Sequence, residues 1–125
     1  SSSAASDVYK RQEFDDARTA SQVEPLEQVI DILVERLRAQ HIKRLKDGAC
    51  SIDTGVVYLD VLNNVERISD HCSNIAARLV GMEAGEDYDS HTLKNMMHHN
   101  PTKEYMLNYE QCRKDYLIPL EQLEA

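Results

Sequence analysis

The chain has 125 residues, of which 42% are hydrophobic, with one Phe, no Trp and a formal net charge of −8. This length and composition suit one domain with a modest aliphatic core, and the basic residues are interspersed with acids, so a nucleic-acid partner is not expected. The three cysteines form no CxxC pair, which argues against a disulfide framework or a zinc ribbon and favours a reducing, cytoplasmic environment.

The first segment of the chain, SSAASDVYKRQ at residues 2–12, looks like the in-frame translation of a transposon-type sequencing-library adaptor. We therefore predict that residues 1–12 are a non-native tail and that residues 13–125 are one domain from a longer protein. The alternative is a flexible native or tag-derived tail. No run in the chain approaches the about 18 consecutive apolar residues of a membrane-spanning helix. If residues 1–12 are an adaptor sequence, however, the chain does not exclude membrane helices in the missing upstream part of the protein.

A long first helix is predicted from Phe14 to Lys46, because this segment is rich in helix formers and is followed by the turn pair Asp47-Gly48. Pro25 should kink this helix or start its second segment. The expected core face consists of apolar residues spaced three and four apart, namely Leu26, Val29, Ile30, Leu33 and Leu37.

A second helix is predicted to begin at about residues 51–53, where Ser51 or Asp53 can cap it, and to end near Val80. A short strand around Val56 is the only alternative to a helix in this segment. The acidic residues 82–90 should form a loop. The predicted core stripe of this helix is Val57, Val61, Val65, Ile68, Cys72, Ile75 and Leu79, with Leu62 at its edge.

The remaining residues predict a short helical turn from His91 to His99 and a third long helix from Pro101 to Ile118, which should end before Pro119. The expected apolar face of the third helix contains Tyr105, Tyr109, Cys112 and Tyr116. The predicted fold is all-α, an antiparallel three-helix bundle. Adjacent histidines in MMHHN point about 100° apart on a helix, so a surface turn is favoured there over a shared metal site.

Acidic residues form a ladder on each of the first two helices, and EQVID repeats the ExxxD spacing of ERISD. Carboxylates one helical turn apart can hold a hard cation, especially when a second helix presents its own pair. From spacing alone, the alternative is a solvated face balanced by arginines. The two ladders are Glu24, Glu27, Asp31 and Glu35, and Asn63, Glu66, Asp70 and Asn74.

No catalytic motif accompanies these ladders, so an enzyme is not expected. HExxH is absent, no histidine stands three residues after a glutamate, and no serine or cysteine is singled out as a nucleophile. A carboxylate-bridged metalloenzyme such as a phosphatase stays open as an alternative.

The segment 23–76 resembles the PhoU-like domain at the C-terminus of bacterial type II sodium/phosphate cotransporters. ERISDHCSNIA carries this similarity with HIKRL and DGACS, and it extends more weakly through KEYMLNYEQCRKDYL. The resemblance implies a PhoU-like three-helix bundle whose paired acidic motifs hold multinuclear iron or zinc clusters at the surface. It thereby places Glu27 and Asp31, and Glu66 and Asp70, at a candidate metal site on the outer face.

The same resemblance implies a non-catalytic regulatory domain of a sodium-dependent phosphate transporter, which couples phosphate status to uptake. The expected partner is a membrane transport domain in the same polypeptide, at the cytoplasmic face of the cell membrane, and a homo-oligomer is compatible with this assignment. The alternative is a free-standing PhoU-type regulator that binds a separate transporter or histidine kinase.

Overall fold

A computed structural model describes residues 2–124, apart from the side chains at positions 2 and 13–15. The described residues form six α-helices and a π-helical segment, without a strand. The expected all-α helical bundle is confirmed, and the strand considered around Val56 is part of a helix. The elements are α1 Ser2–Ala20, α2 Val23–Lys46, α3 Ile52–Glu83, α4 Ser90–His99, α5 Lys103–Cys112, the π-helical Arg113–Leu117, and α6 Ile118–Glu124.

The predicted first helix is divided into α1 and α2 at Ser21-Gln22, and α2 begins two residues before Pro25. A proline ring clashes with the carbonyl group four residues earlier, here that of Ser21, so an unbroken helix through Pro25 would cost about 3 kcal/mol or more. The second segment expected at Pro25 is thereby confirmed. Residues 2–12 belong to α1, residue 1 lies outside the described residues, and their non-native origin stays a prediction.

Helices α2 and α3 form an antiparallel hairpin. Residues in the turn between them fix where α2 ends and where α3 begins. Gly48 adopts φ +70°, a left-handed conformation that favours glycine after a helix end. Ser51 caps α3, because its hydroxyl accepts a hydrogen bond of 3.2 Å from the Thr54 amide. The predicted start of the second helix is therefore confirmed at its capping residue.

The predicted core face of α3 is wrong, because its apolar stripe points outward. The six aliphatic residues of that stripe are 42% to 64% exposed, and Cys72 is also exposed. Small residues occupy the inner face instead, which lets the neighbouring helices approach α3 closely. The buried residues of α3 are Gly55, Leu62, Ser69, Ser73, Ala76, Ala77 and Gly81.

The third predicted helix starts later and runs further than expected. The Thr102 hydroxyl caps α5 by accepting a hydrogen bond of 3.0 Å from the Tyr105 amide. Pro119 does not end the helix, since a π-helical turn precedes it and the Ile118 amide bonds to the Arg113 carbonyl five residues earlier. This wider turn accommodates the ring that a regular helix would exclude.

The packing places α2 in the middle of the fold. Helix α3 lies on one side of α2, and α5 with the π-helical segment lies on the other, while α1 and α4 pack against α3. Val29 and Val34 of α2 are completely or almost completely buried, whereas the other predicted core residues of this helix are half-buried. Within residues 2–124, no helix is both long enough and apolar enough to cross a membrane.

Candidate functional site

A polar cluster lies where α2, α3 and α4 meet, and two buried glutamates are at its centre. Glu24 is 2% exposed and Glu27 is 7% exposed. An isolated buried carboxylate costs far more than a buried amide or hydroxyl, so each glutamate requires partners. The surrounding helices supply partners for both, and the partners of Glu24 differ in chemical type from the partner of Glu27.

Glu24 has a separate partner for each carboxylate oxygen. The Ser73 hydroxyl of α3 donates a hydrogen bond to Oε2, and the His98 ring of α4 places Nε2 2.7 Å from Oε1. Hydrogen bonds to ionisable partners are stronger than those between neutral groups. Glu24 thus connects three helices at one buried point.

Lys94 of α4 supplies the cation of the cluster. Its ammonium group lies 3.2 Å from Asp70 Oδ1 and 3.4 Å from Asn74 Oδ1, both on α3. Burial works to lower the pKa of Lys94, but the negative charge of Glu24, Asp70 and Glu27 outweighs burial, and the pKa is raised. Lys94 therefore stays charged and lies between these acidic groups.

Glu27 pairs with another acid rather than with a base. Burial raises the pKa of Glu27 to about 8, and a hydrogen bond with Asp31 and the charges of Asp31 and Glu24 add to this effect. Lys94 opposes the shift. At neutral pH Glu27 is therefore mostly protonated and can donate a hydrogen bond to Asp31.

Glu66 is half-exposed and lies beside Arg38 of α2, whose guanidinium Nη2 is 3.6 Å from Glu66 Oε1. The same nitrogen donates a hydrogen bond of 2.6 Å to Asn63 Oδ1. The polar ladder of α3 is thus balanced by one cation from α2 and one from α4.

Two buried hydroxyls near the acids have no hydrogen-bond partner among the described residues, those of Ser69 and Tyr105. Burial raises the pKa of Tyr105, and the charges of Glu24 and Glu27 raise it further, so the phenol stays neutral. Both hydroxyls keep unused hydrogen-bonding capacity in the interior of the protein.

The four predicted metal ligands do not converge on one point. Glu27 and Asp31 are in contact, whereas Glu66 is paired with Arg38 and Asp70 with Lys94. Among the side chains that the structure describes, no three from His, Cys, Asp and Glu are grouped so that they could hold one ion. The resemblance placed these residues on an outer face, but Glu27 is buried at 7% exposed.

Sequence reasoning missed the two basic residues of α4. Lys94 and His98 are four residues apart, a spacing that places them on one face of a helix, and this was the available signal. The surface turn expected at MMHHN is instead the end of α4, with His98 on the buried Glu24 and His99 exposed. The sequence did not reveal that α4 packs against α3, and this packing brings Lys94 and His98 to the acidic residues.

Comparisons of the sequence with known proteins all point to the same protein family. The profile of the PhoU domain matches residues 2–79. The phosphate-specific transport system accessory protein PhoU homolog 1 of Thermotoga maritima is 25% identical over 81 residues, which are 65% of this chain and 35% of that protein. The phosphate-specific transport system accessory protein PhoU homolog of Streptococcus pneumoniae is 34% identical over 73 residues, 58% of this chain and 34% of that protein.

The chain therefore spans about a third of the length of the curated relatives it matches. No solved structure gives a significant match. The matched residues 2–79 include α2 and almost all of α3, and with them the acidic ladders of the site. The chain belongs to the PhoU domain family.

Proposed function

We propose that this chain is a non-catalytic regulatory domain of a phosphate transport system and couples phosphate status to phosphate uptake. The observation that carries this proposal is the PhoU match over α2 and α3, together with relatives named as accessory proteins of phosphate-specific transport. The buried carboxylates of the cluster, with Lys94 and His98 beside them, are compatible with such a role.

A phosphate-uptake experiment in living cells tests this role directly. Expression of the chain in a bacterium that lacks its own PhoU protein should lower the uptake of radiolabelled phosphate in phosphate-rich medium. The matched control is Ile68→Pro, which interrupts α3 and so should leave uptake at the level of cells without the chain. Equal uptake with the unaltered chain and the control would contradict the regulatory role.

The partner is proposed to be a separate transporter or histidine kinase, because the relatives are named accessory proteins. Fusion to a sodium/phosphate cotransporter at the cytoplasmic face of the membrane is the second candidate, and ERISDHCSNIA with HIKRL favours it by resemblance. The coding sequence upstream of residue 13 distinguishes them. Repeated runs of about 20 apolar residues would favour fusion, whereas a start codon or another soluble helical unit would favour the free-standing regulator.

A multinuclear iron or zinc site at Glu27, Asp31, Glu66 and Asp70 is the finer part of the proposal. Carboxylate oxygens suit hard cations, but the described arrangement does not form a complete site. A metal ion would have to displace Lys94 from Asp70 and the proton from Glu27. Metal binding at this site therefore competes with Lys94.

Replacement of Lys94 by methionine provides the test. We expect Lys94→Met to raise the affinity for zinc or ferric ion by about tenfold or more, because it removes a competing charge and leaves Asp70 available. Isothermal titration of the purified chain measures this affinity, with Lys103→Met as a control at an exposed position outside the cluster. Binding that is equally strong in Glu66→Ala, Asp70→Ala double-variant protein would contradict the proposed ligands.

A further inference from the structure

A cavity of about 450 Å³ lies where the end of α3 meets α4 and the beginning of α5. Ser21, between α1 and α2, and Glu86, in the loop after α3, complete its wall. A concave site that several elements form together, with a volume of about 300–1,000 Å³, is typical of small-molecule binding. The cavity is therefore large enough for a small organic ligand.

Helix α4 separates this cavity from the acidic cluster. Leu93, Met96 and Met97 line the cavity, at the spacing of three and four residues that defines one face of a helix. Lys94 and His98 of the same helix contact the acids of the cluster instead. The cavity is thus a second site, distinct from the polar cluster described above.

The wall of the cavity is mainly apolar. Val80 and Ala84 line it from α3, and Tyr105 lines it from α5, opposite the two methionines of α4. Burial raises the pKa of Tyr105, so the phenol adds no charge. Because methionine sulfur is polarizable and makes favourable contacts with aromatic rings, this wall suits a ligand that contains such a ring.

The charged residues that line the cavity are both acidic, Glu86 and Glu104. Among the side chains that the structure describes, no lysine, arginine or histidine lines it. A phosphate or carboxylate group bound there would lack a cationic partner and would be repelled by two carboxylates. The cavity therefore disfavours anions, inorganic phosphate included.

We propose that this cavity binds a small, uncharged aromatic molecule that carries one hydrogen-bonding group. The partners of that group are Asn100 and Thr102, whose side chains bring an amide and a hydroxyl to the cavity. The Thr102 oxygen accepts a hydrogen bond of 3.0 Å from the Tyr105 amide, and its own proton is available for a ligand. This site goes beyond the proposed regulatory function and does not depend on it.

Two fluorescent probes with one ring system test the charge preference in the purified whole chain. Phenyl-α-naphthylamine is uncharged, and anilinonaphthalene sulfonate adds an anionic group to the same rings. We expect the uncharged probe to bind more tightly by about tenfold or more. Combined Glu86→Gln and Glu104→Gln substitutions should reduce this ratio to about threefold or less, because they remove the repulsion of the sulfonate.

The matched control combines Glu35→Gln with Asp60→Asn, which removes the same charge at exposed positions outside the cavity. This control should keep the ratio of the unaltered chain, so a difference in probe hydrophobicity alone cannot explain the result. Equal affinities of the two probes for the unaltered chain, or the same ratio in both double variants, would overturn the proposal.

Ala84→Phe tests the location of the site. Ala84 is exposed at the end of α3, so the chain should still fold while the added ring fills part of the cavity, and the affinity for phenyl-α-naphthylamine should fall about tenfold or more. Ala49→Phe, in the exposed turn before α3, is the matched control, and Ile68→Glu alters the outward apolar stripe of α3. Both should leave the affinity unchanged. Unchanged binding in Ala84→Phe, an equal loss in Ala49→Phe, or a loss confined to Ile68→Glu would overturn the proposal.

Discussion

Glu24 and Glu27 lie one turn apart on α2, and their neighbours give them different chemistry. Glu24 contacts a serine hydroxyl and a histidine ring, whereas Glu27 is hydrogen-bonded to Asp31. The contrast depends on the residues that α3 and α4 present, since both glutamates have the same covalent structure and similar burial. Glu24 connects three helices, whereas the protonation of Glu27 changes with pH.

The raised pKa of Glu27 predicts that folding stability falls as pH rises from about 5 to about 8. The folded protein holds the proton up to about pH 8, while the unfolded chain releases it near 4.5, so the folded state loses relative stability through this interval. Glu27→Gln keeps the hydrogen bond to Asp31 but cannot ionise. We expect the variant to be more stable than the original by about 2 kcal/mol at pH 8.5 and to differ little from it at pH 4.5.

Urea unfolding at the two pH values measures this difference. Glu35→Gln is the control, because Glu35 belongs to the same ladder but is exposed. If both substitutions changed the pH dependence equally, the proton would not reside on Glu27.

At the level of elements, α4 is held on α3 by close packing as well as by charge. Gly81 of α3 is buried against Leu93 of α4, and a Cβ atom at position 81 would stand only 2.7 Å from Leu93 Cδ1. Leu93 is itself 3% exposed and has little freedom to move. The absence of a side chain at Gly81 therefore sets how closely α4 approaches, and with it the reach of Lys94 and His98.

Gly81→Ala should destabilise the protein by about 1–3 kcal/mol, because overpacking against Leu93 exceeds the about 1 kcal/mol that alanine gains over glycine in a helix. Thermal unfolding monitored by circular dichroism measures the change. Combination with Leu93→Ala removes the clash, so the same substitution should be neutral or stabilising in that background. Equal destabilisation in both backgrounds would contradict the packing argument.

For the whole molecule, the main feature is that α3 turns small and polar residues inward and its aliphatic row outward. The inward face accommodates the cluster with Glu24 and allows α4 to pack closely. The outward face carries the exposed aliphatic residues of α3. The acidic cluster and this aliphatic row thus lie on opposite sides of one helix.

Local signals in the amino-acid sequence predicted where several elements begin and end. Ser51 marked the start of α3, Gly48 the turn before it, and Pro25 the second segment of the first helix. These predictions succeeded because caps, turns and proline breaks depend on residues within a few positions of one another.

Which face of α3 is buried depends on contacts between elements that are far apart in the sequence. The apolar row and the row containing Ser69, Ser73 and Ala76 both repeat at helical spacing, and the choice between them depends on contacts with α2 and α4, which are distant in sequence. Pro119 likewise continues the last helix because a π-helical turn precedes it. Buried polar groups at Glu24 select the small, hydrogen-bonding face, and the aliphatic face is left exposed, because a buried carboxylate without partners costs more than exposed valine and isoleucine.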